Sequence, residues 1–374
     1  MKPIPDPTEN LLPLYMLDIL WENTDEDHRI SLTEIGEKIR LKYGTTPNRK
    51  TLRRNMVALV ESDAGIEYNV RKKKSPVQQK NTETGQLEKV IDEKTGKPLM
   101  ETIENWSGYY ISRDFEKSEI RLLIDGLLFS RHIPHKDCME LAEKLANLAG
   151  PYFKSHVRHI FTRPDTMPQN PQIFYNIELL DEAIHTGKKV EFSYLEYGTD
   201  MKQHPRTHKN GNVRRYRVSP YQMAAKDGRY YLICNHGYYD DLANYRVDRM
   251  KDIEILEDDP VRPVESLPGS GKGQLDLARY MNEHIYMFGQ QNSAVKFRIR
   301  KSRLNDLIDN FGTNISFSGE TDEEVTVIAM VNEMGMLQFA KNYAPDVVIL
   351  EPKPLAEEMK AWAEATLKRY QGKE

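Results

Sequence analysis

The nine residues "GRYYLICNH", Gly228 to His236, set two tyrosines, a leucine, an isoleucine and a cysteine between an arginine and a histidine. Taken alone, the run is a turn followed by a buried strand, because aromatic and β-branched residues favour strands and glycine favours turns. Its neighbours decide more. "VEFSYLEY" and "RRYRVSPYQMAA" precede it and "ANYRVDRMKDIEIL" follows, so Lys189 to Asp258 reads as strands joined by short turns, "KDGR" being one. The expectation is a small all-β unit, either a curved sheet or a barrel.

Lys188 to Lys251 carries thirteen basic and seven acidic residues, an excess of six, and is dense in tyrosine. Guanidinium forks match phosphate, and tyrosine faces stack on bases. Strand alternation alone would also put one tyrosine in a core and one arginine in water.

Upstream the period changes. Leu11 to Glu22 reads as a helix with apolar Leu14, Leu17, Ile19 and Leu20, and "SLTE" at Ser31 to Glu34 is a capping box opening a second, with Leu32, Ile35, Ile39 and Leu41 facing a core. A third helix is expected to start at Thr46-Pro47, threonine capping and proline at the first helical position, with a core stripe of Leu52, Met56, Leu59 and Val60. "IEYNV" and "GYYIS" then read as two strands of a long hairpin, or of a hairpin with a flexible tip.

Three helices and a hairpin is the order of a winged helix-turn-helix, whose third helix enters the major groove while the hairpin touches the backbone. Lys38 to Lys80 holds twelve basic residues against three acidic, an excess of nine. Asn48, Arg49, Lys50, Thr51, Arg53, Arg54 and Asn55 gather on the third helix, with 49 above 53 and 50 above 54, away from Leu52 and Met56. Arginine reads guanine and asparagine adenine through paired hydrogen bonds, while Arg71, Lys72, Lys73 and Lys74 would form the hairpin's phosphate patch. A merely solvated basic face is the simpler alternative for any one such cluster.

Downstream, Glu116 to about Leu148 is helical with a break at "HIPHKD", and Pro151 to Pro171 is a connector. "LPGSGKGQ", Leu267 to Gln274, is a linker; it lacks the glycine and the serine or threonine of a phosphate loop. The last hundred residues alternate strand and helix and end in "LAEEMKAWAEATLKRY".

The chain of 374 residues has 53 basic and 57 acidic residues, a formal charge of −4, so any polyanion binding must rest on local patches. Two distant cysteines, Cys138 and Cys234, point to a reducing compartment and against a thiolate zinc site. With no apolar run near ~18 residues and no basic, apolar leader, a cytoplasmic protein without a membrane role is expected. His204 and His208 sit beside Pro205 and Asn210-Gly211, in a loop rather than a metal site. No nucleophile elbow, carboxylate pair or metal motif is present, so neither an enzyme nor a cofactor is expected.

"FSYLEYG", "YRVSPYQM", "GRYYLICNH" and "YRVDRM", in this order and spacing, resemble a WYL domain, with Tyr230, Tyr231 and Leu232 as its name-giving triplet and tyrosine where tryptophan is usual. The wider order resembles the bacterial WYL-domain transcriptional regulators. The resemblance implies an α+β multidomain fold: a winged helix-turn-helix at 1–114, a helical connector at 115–170, a small Sm-like β-barrel at 171–262 and an α+β extension at 275–374. It implies a pocket for nucleotides or nucleic-acid fragments at Tyr194, Arg217, Tyr231, Arg246 and Arg249; Tyr216 stands where many relatives have arginine. It implies a homodimeric, ligand-responsive repressor on an inverted-repeat operator in double-stranded DNA, with anti-phage defence or DNA-damage genes controlled by some relatives. The competing expectation is a nucleic-acid-sensing adaptor that does not read operator sequence.

Overall fold

The computed structural model describes residues 7–80, 87–92, 96–153, 170–267, 275–289 and 292–372. The chain divides into two compact units, residues 1–129 with 135–164, and residues 130–134 with 165–374.

The first unit opens with α1 (Pro7–Asn23), α2 (Leu32–Tyr43) and α3 (Arg49–Glu61). Leu12, Met16, Ile19 and Leu20 of α1 meet Ile35 and Ile39 of α2 and Leu52, Met56 and Leu59 of α3 in one core. Leu14 is exposed, since the buried stripe of α1 runs through 12, 16 and 19. Leu41 is 77% exposed: two residues beyond Ile39 is ~200° around a helix, which turns it to water. Ser31 and Glu34 form the expected capping box. The start of α3 differs from expectation, because Asn48, not Thr46, caps it, accepting from the Lys50 amide at 2.7 Å. Asparagine is at least as good a cap as threonine, and Pro47 lies just outside the helix.

β1 (Ile66–Pro76) pairs antiparallel with β4 (Met100–Ile111), and β2 (Gln78–Lys80) with β3 (Leu87–Lys89) continues the ribbon. Both long strands exceed the five-residue stretches expected. Ile30 bonds both ways to Tyr109, which ties the root of the ribbon to the core. Gly108 has φ 63°, and a Cβ there would lie 2.7 Å from the Asn69 amide.

α4 (Lys117–Phe129) and α5 (His135–Leu148) pack through Ile120, Ile124, Ala142 and Ala146, with the break between them at 130–134. The connector expected at Pro151 to Pro171 lies mostly outside the described residues, as does the linker after Leu267. Asp25, in the loop after α1, accepts from the amides of Asp27 and His28 and from the His28 ring, with Lys117 at 3.4 Å.

The second unit contains α6 (Ile173–Thr186), then β5 (Lys188–Tyr197), β6 (Gln203–Pro205), β7 (Arg215–Lys226), β8 (Arg229–Asn235), β9 (Leu242–Arg246) and β10 (Met250–Pro260). Their order is β10-β5-β7-β8-β9, with β6 added to β5. Asp227 and Gly228 both have positive φ, 51° and 72°, as a two-residue hairpin turn of matching twist requires. α6 buries Ile173, Leu180 and Ala183 against Val190, Phe192, Val218, Leu232 and Met250.

The same unit then has α7 (Leu277–Glu283), β11 (Asn292–Arg300), α8 (Leu304–Phe311), β12 (Ser316–Glu320), β13 (Glu324–Asn332), α9 (Glu333–Asn342), β14 (Val347–Glu351) and α10 (Lys353–Tyr370). From β11 on, the βαββαβ order and the strand sequence β12-β13-β11-β14 are those of a ferredoxin-like split βαβ. α7 packs through Tyr280 on Ala224 and Ile233 of β7 and β8, with Tyr231 partly buried in the same cluster. Among the described residues, no helix is long and apolar enough to cross a membrane.

Candidate nucleic-acid and effector sites

One face of α3 is fixed in the core by Leu52, Met56 and Leu59, so the opposite face is presented outward. Asn48, Arg49, Lys50, Arg53 and Arg54 are exposed there, with Thr51 and Asn55 half-buried. Among the described residues none of these four basic side chains is in an ion pair, whereas Lys42 is held by Asp18 and Glu22 and Lys38 by Asn23. The cationic charge of α3 is therefore uncompensated. The two asparagines are less free, since Asn48 is bound up in the cap and the Asn55 amide donates to the Thr51 carbonyl at 3.0 Å.

Arg71 to Lys74 lie on β1 opposite Asn105, Glu104, Ile103 and Thr102. A strand alternates its side chains, so Arg71 and Lys73 leave one face of the ribbon and Lys72 and Lys74 the other. All four are exposed, and Lys72 lies 3.4 Å from Glu104. The run offers two basic edges rather than one patch.

In the second unit the sheet curls until residues of non-adjacent strands meet. Tyr194 of β5 lies 5.0 Å from Tyr245 of β9, ring to ring, and its hydroxyl accepts from the Arg246 amide at 3.2 Å. Tyr216 of β7 completes the cluster, 6.2 Å from Tyr194 and 5.4 Å from Tyr245, and the His236 Nε2 shares a hydrogen bond with the Tyr245 hydroxyl at 2.8 Å. Tyr194 and Tyr216 are buried, and burial pushes the Tyr194 phenol up. Burial, then the Arg214 charge, holds the His236 ring below the ordinary histidine value, so it is neutral at pH 7.

Arginines cover this aromatic cradle. Arg206 lies over the Tyr194 ring at 5.2 Å and Arg214 over Tyr216 at 4.8 Å, while Arg249 sits 5.7 Å from the Tyr197 ring. Arg206 is paired with Glu196; among the described residues Arg214 and Arg249 have no ion pair. The Arg249 Nε is buried without a hydrogen-bond partner among the described residues. Such a group costs about 1–3 kcal/mol unless something fills its bonding capacity.

The five residues expected to form one effector pocket are divided. Tyr194 and Arg249 belong to the cradle. Arg246 sits beside them, but its fork is closed on Asp248 at 3.0 and 2.6 Å. Tyr231, opposite Arg246 across the strand pair, faces the α7 cluster. Arg217 is separate, paired with Asp259, which also takes Lys189. Residues that sequence reasoning missed are Arg206, Arg214, Tyr216, His236 and Tyr245. Alternation in "RRYRV" could have put Tyr216 inside; Arg206 lies beyond a three-residue strand that no pattern marks. His204, read as a loop residue, stands on that strand and pairs with Asp200.

Residues 175–255 match the family described as WYL domain, so the chain carries that domain from within α6 into β10, the Tyr230-Tyr231-Leu232 triplet included. A comparison with curated proteins found no match. Among solved structures, the chain is similar to the proteasome accessory factor B/C (PafBC) of Arthrobacter aurescens, at 15% identity and a TM-score of 0.27 over 97% of this chain and 49% of that one. It is also similar to a CRISPR Cas-related protein, at 12% identity and a TM-score of 0.35 over 97% of this chain and 85% of that one. The chain thus spans about half the length of the PafBC chain.

Proposed function

We propose that the protein is a sequence-specific DNA-binding transcriptional regulator, not an enzyme. The first unit acts as a winged helix-turn-helix, α3 lies in the major groove and the ribbon of β1 and β4 runs along the backbone. The observation that carries this is the outward face of α3: four unpaired cations on a helix whose other face is locked in the core. Arg53 and Arg54, free of the cap, are assigned the base edges, and Arg49, Lys50 and Thr51 the flanking phosphates.

The protein works as a homodimeric repressor in the cytoplasm, two copies of α3 reading the halves of an inverted repeat, with defence genes among its targets. The β-unit is an Sm-like barrel that binds a nucleotide or nucleic-acid fragment at the cradle. Because guanidinium groups cover the tyrosine faces, phosphate meets Arg214 and Arg249 first, and a base stacks only if an arginine swings aside.

Footprinting on the DNA upstream of the protein's own gene tests the assignment. The wild type protects a two-fold-related site that Arg53→Ala and Arg54→Ala leave open. Sequence-specific protection unchanged in both variants would sink it, and equal protection of random duplex would favour the adaptor.

A further inference from the structure

A second cleft of the second unit, of about 590 Å³, has the opposite electrostatic character to the cradle. Ligand sites commonly enclose roughly 300–1,000 Å³. Ile177, Asp181 and Ile184, spaced four and three residues apart on α6, form one wall. The register of β7 on β8 slips between Pro220 and Gln222, and the consecutive residues Gln222 and Met223 both reach the cleft, with Tyr230 from β8.

Three polar residues line it, Asp181, Gln222 and Tyr230. Among the described residues the Asp181 carboxylate has no ion pair, the Gln222 amide has no hydrogen bond and neither does the Tyr230 hydroxyl. Two other carboxylates of this unit are matched, Asp248 by Arg246 and Asp259 by Lys189 and Arg217. Among the described residues no lysine or arginine lines the cleft, and Asp181 is the one formal charge there.

We propose that this cleft binds a small organic cation, an ammonium group on an apolar body. The ammonium sits at Asp181 and donates also to the Gln222 carbonyl and the Tyr230 oxygen; Ile177, Ile184 and Met223 take the apolar body. The Tyr230 ring lies 5.3 Å from His132, whose Nδ1 meets the Gly228 carbonyl at 3.2 Å.

The test uses the full-length protein carrying ¹³C-methyl methionine, with the Met223 signal assigned through Met223→Leu. 2-Phenylethylamine is titrated beside its neutral and anionic counterparts, 2-phenylethanol and 3-phenylpropionate. The amine is expected to shift Met223 saturably, the alcohol to bind at least about fivefold more weakly and the acid not at all. Asp181 is exposed, so Asp181→Asn folds, and it brings the amine down to the alcohol's affinity. No saturable shift with the amine, an acid that binds as well, or an Asp181→Asn variant that binds the amine unchanged would each overturn the proposal. DNA binding is not read in this experiment, so its outcome is independent of the operator assignment.

Discussion

An arginine offers charge to a ligand only where no carboxylate has already matched it. Arg217 and Arg246 look equivalent to Arg249 in the sequence, yet Asp259 and Asp248 close on the first two and leave the third open. Arg214→Ala or Arg249→Ala is therefore expected to weaken binding of a short oligonucleotide by roughly tenfold, the order of one charged hydrogen bond. Arg217→Ala should stay within about twofold, and calorimetric titration of the three variants separates these outcomes. The Asp259 partner is invisible in the sequence because it stands 42 residues after Arg217. Asp25 is a second residue whose role only the fold reveals. Burial alone would raise its carboxyl, but hydrogen bonds from the His28 ring and amide, with Lys117 nearby, hold it below the ordinary aspartate value. A carboxyl lowered on folding stabilises the native state above its unfolded value, near pH 4, and loses that contribution as pH falls further. Asp25→Asn should destabilise the protein at pH 7, by about 2 kcal/mol, and flatten the loss of stability below pH 4 in denaturant melts.

At the scale of elements, what was legible followed from period. The strands around "GRYYLICNH" were readable because aromatic and β-branched residues favour strands and their turns carry glycine, even though Leu232 to Asn235 are buried in succession; α3 was readable because its apolar and basic residues take opposite sides. Its start was misplaced by one cap, since Thr46-Pro47 and Asn48 both offer plausible chemistry and only packing chooses. Asn48→Ala should cost about 1 kcal/mol of stability in chemical denaturation. The outer ribbon was illegible beyond its root for a physical reason: both of its faces are exposed, so no buried side imposes alternation. β1 has eleven residues, about 36 Å at ~3.3 Å each, close to one turn of duplex. Its basic residues leave both faces, so under the proposed function only those on the DNA side would release counterions. Lys73→Gln should lower the slope of log K against log salt by about 0.9 if Lys73 meets a phosphate, and Lys72→Gln, beside Glu104, should leave it unchanged.

The whole molecule joins a first unit that exposes an unpaired basic helix to a second that holds a WYL domain and a ferredoxin-like sheet. Net charge is −4, so under the proposed function nonspecific attraction of the entire chain to DNA would be weak and α3 and the ribbon would supply the affinity. That separation makes specificity measurable against a low background. The most direct measurement is the ratio of affinities for the footprinted operator and a scrambled duplex, at one fixed salt concentration, for the wild type and Arg53→Ala. The account predicts a wild-type ratio of at least about 10³, and its loss by roughly 5–100-fold in the variant with little change on scrambled DNA. A ratio near one in the wild type, or one unaltered by Arg53→Ala and Arg54→Ala, would contradict it.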